Sequence, residues 1–173
     1  MRIYKGIQNP LTTLKRKETA EKIHVKGKTL DKATGPSYFA IQVTKTHPET
    51  TITGIDIFEA SIKTARKNIK KEGLQDQIKI IQMDATDLQF MDESLDIATN
   101  YLGLEDIHMT RERKGVVQAF REAHRVLEPG GSFYFVVIPV GRLDTWAQRV
   151  EAEAFNRICG AKWLHHKEYL QIL

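Results

Sequence analysis

The chain has 173 residues, 41% hydrophobic and 28% charged, enough for one domain with a substantial core and too few for two ordinary ones. No apolar run approaches the roughly 20 residues that span a bilayer, and the start, MRIYKGIQNP, lacks the apolar centre of a secretion signal. The net charge of +4 gathers in residues 1–32, where nine Lys/Arg face three Asp/Glu, and the single cysteine, Cys159, excludes a disulfide framework or a cysteine-rich metal site. These features point to a cytoplasmic protein without a membrane span.

Asn9-Pro10 suits a helix start, and Leu11, Leu14 and Ile23 give a weak apolar stripe, so a first helix is expected near 10–22. Thr29–Asp31 reads as a short first strand. Ala33-Thr34-Gly35-Pro36-Ser37 is a tight small-residue turn, after which Tyr38, Phe39, Ile41 and Val43 continue as a helix up to His47-Pro48. Thr50–Ile57 is β-branched and strand-like. Glu59–Glu72 carries Ile62, Ala65 and Ile69 on one face and ends at Gly73, where a left-handed cap is wanted.

Gln77–Met83 and Leu95–Tyr101 are the third and fourth strands, with a loop after the fourth. Val116, Phe120, Ala123 and Leu127 recur at helical spacing. Glu128-Pro129-Gly130-Gly131 stops that helix before a fifth strand, Ser132–Val140. Leu143, Ala147, Val150, Ala154 and Ile158 form a last helical stripe closed by Gly160. Alternating strands and helices imply βαβ crossovers and a mostly parallel, doubly wound sheet covered on both faces. The expected organisation is a single domain: an N-terminal helical segment (1–27), a core (28–140) and C-terminal helices (141–173).

Chemistry concentrates at the strand ends. Asp31 ends the first strand immediately before the small-residue turn, and Asp56 ends the second, 25 residues later. A strand–turn–helix unit points backbone N–H groups at a ligand above the sheet, and a carboxylate at the second strand end can accept hydrogen bonds from a ribose diol. The 21-residue spacing from Gly35 to Asp56 is shared with nicotinamide enzymes. A carboxylate at Asp31, however, repels a pyrophosphate and suits a ligand with an ammonium or sulfonium cation. Asp84, ending the third strand, offers an acceptor for an adenine amino group. S-adenosylmethionine has all three features.

Here the sequence resembles the class I S-adenosylmethionine-dependent methyltransferases, over about residues 25–140. TLDKATGPS resembles the first motif of that family, GIDIFEASIKTARKNIKKEGL the second, QMDATDLQF the third, SLDIATNYLGLEDI the fourth-strand motif and FREAHRVLEPGGSFYFVV the unit that follows. HRVLEPGGSF is most similar to the ubiquinone/menaquinone-type branch. The resemblance implies a Rossmann-like sheet in the order 3-2-1-4-5. It also implies cofactor contacts from Asp31, Ala33, Gly35, Ser37, Asp56, Ile57, Asp84, Ala85 and Asn100. Tyr101 and Leu102 would line the acceptor pocket, and among Glu105, Asp106 and His108 the histidine is the candidate base. Two outer glycines of the first motif are Ala33 and Ser37 here, and Lys32 stands where the family has an aliphatic residue.

The leading expectation is in-line methyl transfer to a small-molecule acceptor. An RNA or protein substrate gripped by the basic N-terminal segment is the alternative within enzymes, and a cofactor-binding module without turnover is the alternative outside them. The adjacent His165 and His166 point about 100° apart on a helix and make no metal site. The family's last two strands are missing after Val140, so a shortened chain is expected. Its fifth-strand edge would be covered by a C-terminal fold-back or by self-association into a homo-oligomer.

Overall fold

A computed structural model describes residues 10–137, 168–169 and 171–172. Five strands, β1 (Lys28–Lys32), β2 (Thr51–Asp56), β3 (Ile78–Gln82), β4 (Leu95–Tyr101) and β5 (Leu127–Val136), form one sheet in the order β3-β2-β1-β4-β5. All four pairings are parallel, with Asp31 opposite Gly54 on one side and Thr99 on the other. Helix α1 (Pro10–Lys22) precedes β1, and α2 (Tyr38–Thr46), α3 (Glu59–Glu72) and α4 (Leu104–Val126) connect β1 to β2, β2 to β3 and β4 to β5. This is the Rossmann-like order expected, and strand order reverses between β1 and β4, where such sheets open a crevice.

Each face of the sheet has its own core. One gathers Phe39 and Val43 of α2, Ile62, Ala65 and Ile69 of α3, and Ile52 and Ile78 from the strands. The other gathers Leu30, Ile55 and Leu95 under Leu104, Val116 and Phe120 of α4. Alternation along a strand explains the split, since Ile52 and Ile55 are three apart and point to opposite faces. Tyr169 and Ile172 pack on the second core. The stripe over residues 143–158 lies outside the described residues.

Several local expectations need correction. Leu14 is 52% exposed, and the first helix is seated by Ala20 together with the expected Ile23, just beyond its end. The segment after β4 is helix from Leu104 onward, because Asn100 and Gly103 close a turn that starts α4 directly. α4 is broken at Glu112, whose backbone (φ 58°, ψ −166°) is non-helical. β5 begins at Leu127, five residues before the expected start: Pro129-Gly130-Gly131 is an irregularity within the strand, with Gly130 at φ 87° and a register shift opposite Leu95–Ile97.

Lys32 is the least expected core residue, fully buried on the α4 side of β1. Its Nζ donates to the Ala119 carbonyl and sits 5.0 Å from the centre of the Phe133 ring. Burial pulls its pKa down to about 7, against the opposing pull of Glu122. Glu122 accepts the Leu88 N–H at 2.8 Å and pairs with Arg125 at 2.7 Å. Arg125 also donates to the carbonyls of Leu88 and Phe90, tying the loop after β3 to α4.

Candidate active site

The carboxyl ends of β1, β2 and β4 converge on one carboxylate. Asp31 is 2% exposed and accepts hydrogen bonds from Thr34 Oγ1 at 2.6 Å and Thr99 Oγ1 at 2.7 Å. Burial, only partly offset by these two hydroxyls, raises its pKa to about 6, and the Asp56 charge adds to the rise. A carboxylate held under such strain is stabilised by any cation brought near it.

The turn beyond Asp31 is a concave backbone nest. Ala33, Gly35 and Ser37 all have positive φ, at 52°, 52° and 61°. Two of these three are not glycine, yet they adopt the left-handed conformation that glycine reaches without cost. What holds them is local: Thr34 N–H donates to Ile55 O at 2.8 Å, Ser37 N–H to Thr34 O at 2.9 Å, and the Thr34 and Ser37 hydroxyls lie 3.1 Å apart. A Cβ on Gly35 would meet nothing within 4 Å, so the nest opens to free space.

Asp56 is fixed from two sides, accepting the Gly35 N–H on Oδ2 and the Phe58 N–H on Oδ1, both at 2.9 Å. It is 7% exposed, with Ile57 and Phe58 projecting beside it at 44% and 42%. Asp106, in the first turn of α4, keeps contact with solvent. Crowding by the protein around its carboxyl, and then the Asp56 charge, lift its pKa to about 6. Asp84 lies at the end of β3 with Ala85 buried beside it, its Oδ1 held by the Thr86 N–H at 2.8 Å and the Thr86 hydroxyl at 2.7 Å. Its Oδ2 pairs with Arg111 of α4.

The remaining predicted residues are placed differently. Asn100 is 1% exposed and engaged inside the protein, donating to Lys32 O at 2.8 Å and accepting the Gly103 N–H at 3.0 Å. These bonds shape the β4 turn, where a Cβ on Gly103 would collide with the Ala33 methyl. Tyr101 stacks on Phe39 with ring centres 4.6 Å apart. Leu102 is exposed at φ 61°, and His108 is half-buried on the helix that replaces the expected loop. Thr99 and Arg111 were not singled out from the sequence, Thr34 was read only as part of the small-residue turn, and Asp106 only as a neighbour of the candidate base His108. Only Thr34, three residues after Asp31 within the turn, carried a local signal.

The arrangement fits the three parts of S-adenosylmethionine. Asp31 would meet its cationic end, the nest and Asp56 its ribose, and Asp84 its adenine edge. Among the described residues no cluster of His, Cys, Asp or Glu is built to hold a metal ion, and no helix is long and apolar enough to cross a membrane.

The family model of the methyltransferase domain matches residues 30–135. A demethylmenaquinone methyltransferase from Listeria welshimeri is 30% identical over 136 residues, covering 77% of this chain and 55% of that protein. The chain thus spans about half the length of the curated relatives it matches. Among solved structures, a Bacillus halodurans protein provisionally assigned as a methyltransferase superposes with a TM-score of 0.72 at 23% identity, covering 93% of this chain and 66% of that one. The [4+2]-cyclase SpnF superposes with a TM-score of 0.70 at 23% identity, covering 93% and 56%. At these identities the structural likeness speaks for the fold alone.

Proposed function

The chain belongs to the methyltransferase-domain family, and on that footing we propose that it binds S-adenosylmethionine above β1, β2 and β3 and serves methyl transfer to a small-molecule acceptor. The observation that carries this reading is the join between Asp56 and Gly35, which locks a ribose-type acceptor to a nest opening beside a buried, cation-seeking Asp31. A pyrophosphate in that nest would lie next to Asp31, whereas a sulfonium and ammonium would relieve its strain.

S-adenosylmethionine supplies a methyl group on a leaving group that is already activated. What remains for the protein is alignment, a proximity effect worth up to ~10 kcal/mol. Asp31 and Asp56 are fit for it because each is fixed by two donors and keeps one geometry without the ligand's help. On the acceptor side, exposed Leu102 and Met109 flank the start of α4 and suit an apolar ring. His108 stands on the same turn as a base where the nucleophile must lose a proton. The Listeria relative's name makes a demethylmenaquinone-like quinol the first acceptor to try.

The basic N-terminal segment lends less to an RNA reading. Lys15 and Lys17 of α1, 63% and 60% exposed, are already paired with Glu18 and Glu21 on the helix surface. Transfer of labelled methyl from S-adenosylmethionine to a demethylmenaquinol, with bulk RNA as the second acceptor, tests the proposal. Label on RNA alone would shift the substrate class, and tight binding with label on neither would favour a module without turnover.

A further inference from the structure

The ion pair between Arg111 and Asp84 is left unexplained by methyl transfer. Asp84 is the carboxylate at the nucleoside end of the proposed site, and both of its oxygens are engaged. Oδ1 accepts from the Thr86 backbone and hydroxyl, and Oδ2 accepts from Arg111 Nη2, which reaches from α4 to the end of β3. An adenine amino group that approaches Asp84 therefore meets an oxygen already paired with a cation.

The local build of α4 sets Arg111 there. Glu112 follows it in a backbone region that is native to glycine, so the first helical segment ends at Arg111. Four residues on, a Cβ at Gly115 would lie 2.3 Å from the Arg111 Cβ, and only glycine allows that approach. An unbroken helix would need neither the strained residue nor the glycine. Together they bring the guanidinium over the end of β3 instead of along the helix surface.

We propose that Arg111 is a latch on the nucleoside end of the site, which holds Asp84 and yields it to the adenine amino group when the cofactor binds. This rests on the S-adenosylmethionine reading. The side chains of the pair are 44% and 24% exposed, so solvent screens it and the competition is modest. Removing the guanidinium should tighten binding by about two- to fivefold, the range set by partly exposed ion pairs. Salt should strengthen binding of a net-neutral ligand to the wild type by weakening the latch.

The test is calorimetric titration of the full chain with S-adenosylhomocysteine, which carries no net charge, at two ionic strengths. Wild type, Arg111→Ala, Gly115→Ala and Asp56→Ala are compared. The latch predicts tighter binding in Arg111→Ala, loss of the salt enhancement, and the same direction in Gly115→Ala, where the guanidinium is present but displaced. Binding by Arg111→Ala alone, with none by the wild type, also supports it. Unchanged or weaker binding in Arg111→Ala, with Asp56→Ala still impaired, overturns the latch and leaves the cofactor reading standing. Absence of binding by both wild type and Arg111→Ala overturns both.

Discussion

Replacing Lys32 by Met should make the protein more stable at neutral pH. The side chain is fully buried, and among the described residues its amine meets the Ala119 carbonyl, the Phe133 ring face and the more distant pull of Glu122. Its pKa falls from 10.5 to about 7. Between those two values the unfolded chain binds a proton that the folded chain does not, so stability rises as pH climbs from about 7 towards 10.5. Below about 7 both states are protonated and the penalty is constant. A shift of that size is worth on the order of 4 kcal/mol at pH 7. Methionine keeps the length and most of the volume while removing the charge, at the cost of one hydrogen bond of about 1 kcal/mol. Lys32→Met should therefore gain about 2–3 kcal/mol at pH 7 and little at pH 10. Urea unfolding followed by circular dichroism at both pH values reads the difference directly. A less stable Lys32→Met at pH 7, or an equal gain at both pH values, would show that the buried amine is not a strained cation.

Three further outcomes follow from the site and its supports. The raised carboxyl of Asp31 holds a proton between about 4 and 6 that the unfolded chain has released, so its contribution to stability falls as pH rises through that window. A bound cation competes with that proton, and affinity for S-adenosylmethionine should grow from pH 5 to pH 7; Asp31→Asn should flatten the profile, and a steep profile in that variant would assign the titration elsewhere. Ala33→Gly should stabilise by about 0.5–1 kcal/mol, since φ 52° costs an alanine more than a glycine, and a loss in thermal unfolding would mean the methyl's packing against Gly103 outweighs the strain. Arg125→Ala should cost about 2–3 kcal/mol, because the part-buried carbonyls of Leu88 and Phe90 and the Glu122 carboxylate lose their donor together; a change under 1 kcal/mol in urea unfolding would refute that account.

The order of the sheet was legible because each element carried its own period. The β-branched run before Asp56 reads as a strand, the Ile62–Ala65–Ile69 stripe with Gly73 behind it reads as a capped helix, and parallel crossovers leave few topologies. Asp31 and Asp56 were legible because a carboxylate at a strand end beside a small-residue turn has few structural uses. Contacts between distant segments were not. Arg111 and Asp84 are 27 residues apart, and nothing in RERKG marks one arginine for an ion pair across the mouth. Asn100 came only with the family resemblance, and its two partners, Lys32 O and the Gly103 N–H, could not be read from the sequence. Lys32 looked like a blemish on a central strand; what makes it tolerable, the Ala119 carbonyl and the Phe133 ring, arrives 87 and 101 residues later. The start of β5 was hidden by Pro129-Gly130-Gly131, which stops a helix as readily as it bulges a strand.

The central claim is that Asp56, locked to the Gly35 turn, receives the ribose of S-adenosylmethionine. Isothermal titration of wild type and Asp56→Ala with S-adenosylmethionine, alongside NAD, tests it most directly. The account predicts that the wild type binds S-adenosylmethionine and not NAD, and that Asp56→Ala weakens binding by roughly 1.5–3 kcal/mol, the worth of hydrogen bonds to a charged group. Equal affinity in the two proteins, or binding of NAD in preference to S-adenosylmethionine, would contradict it.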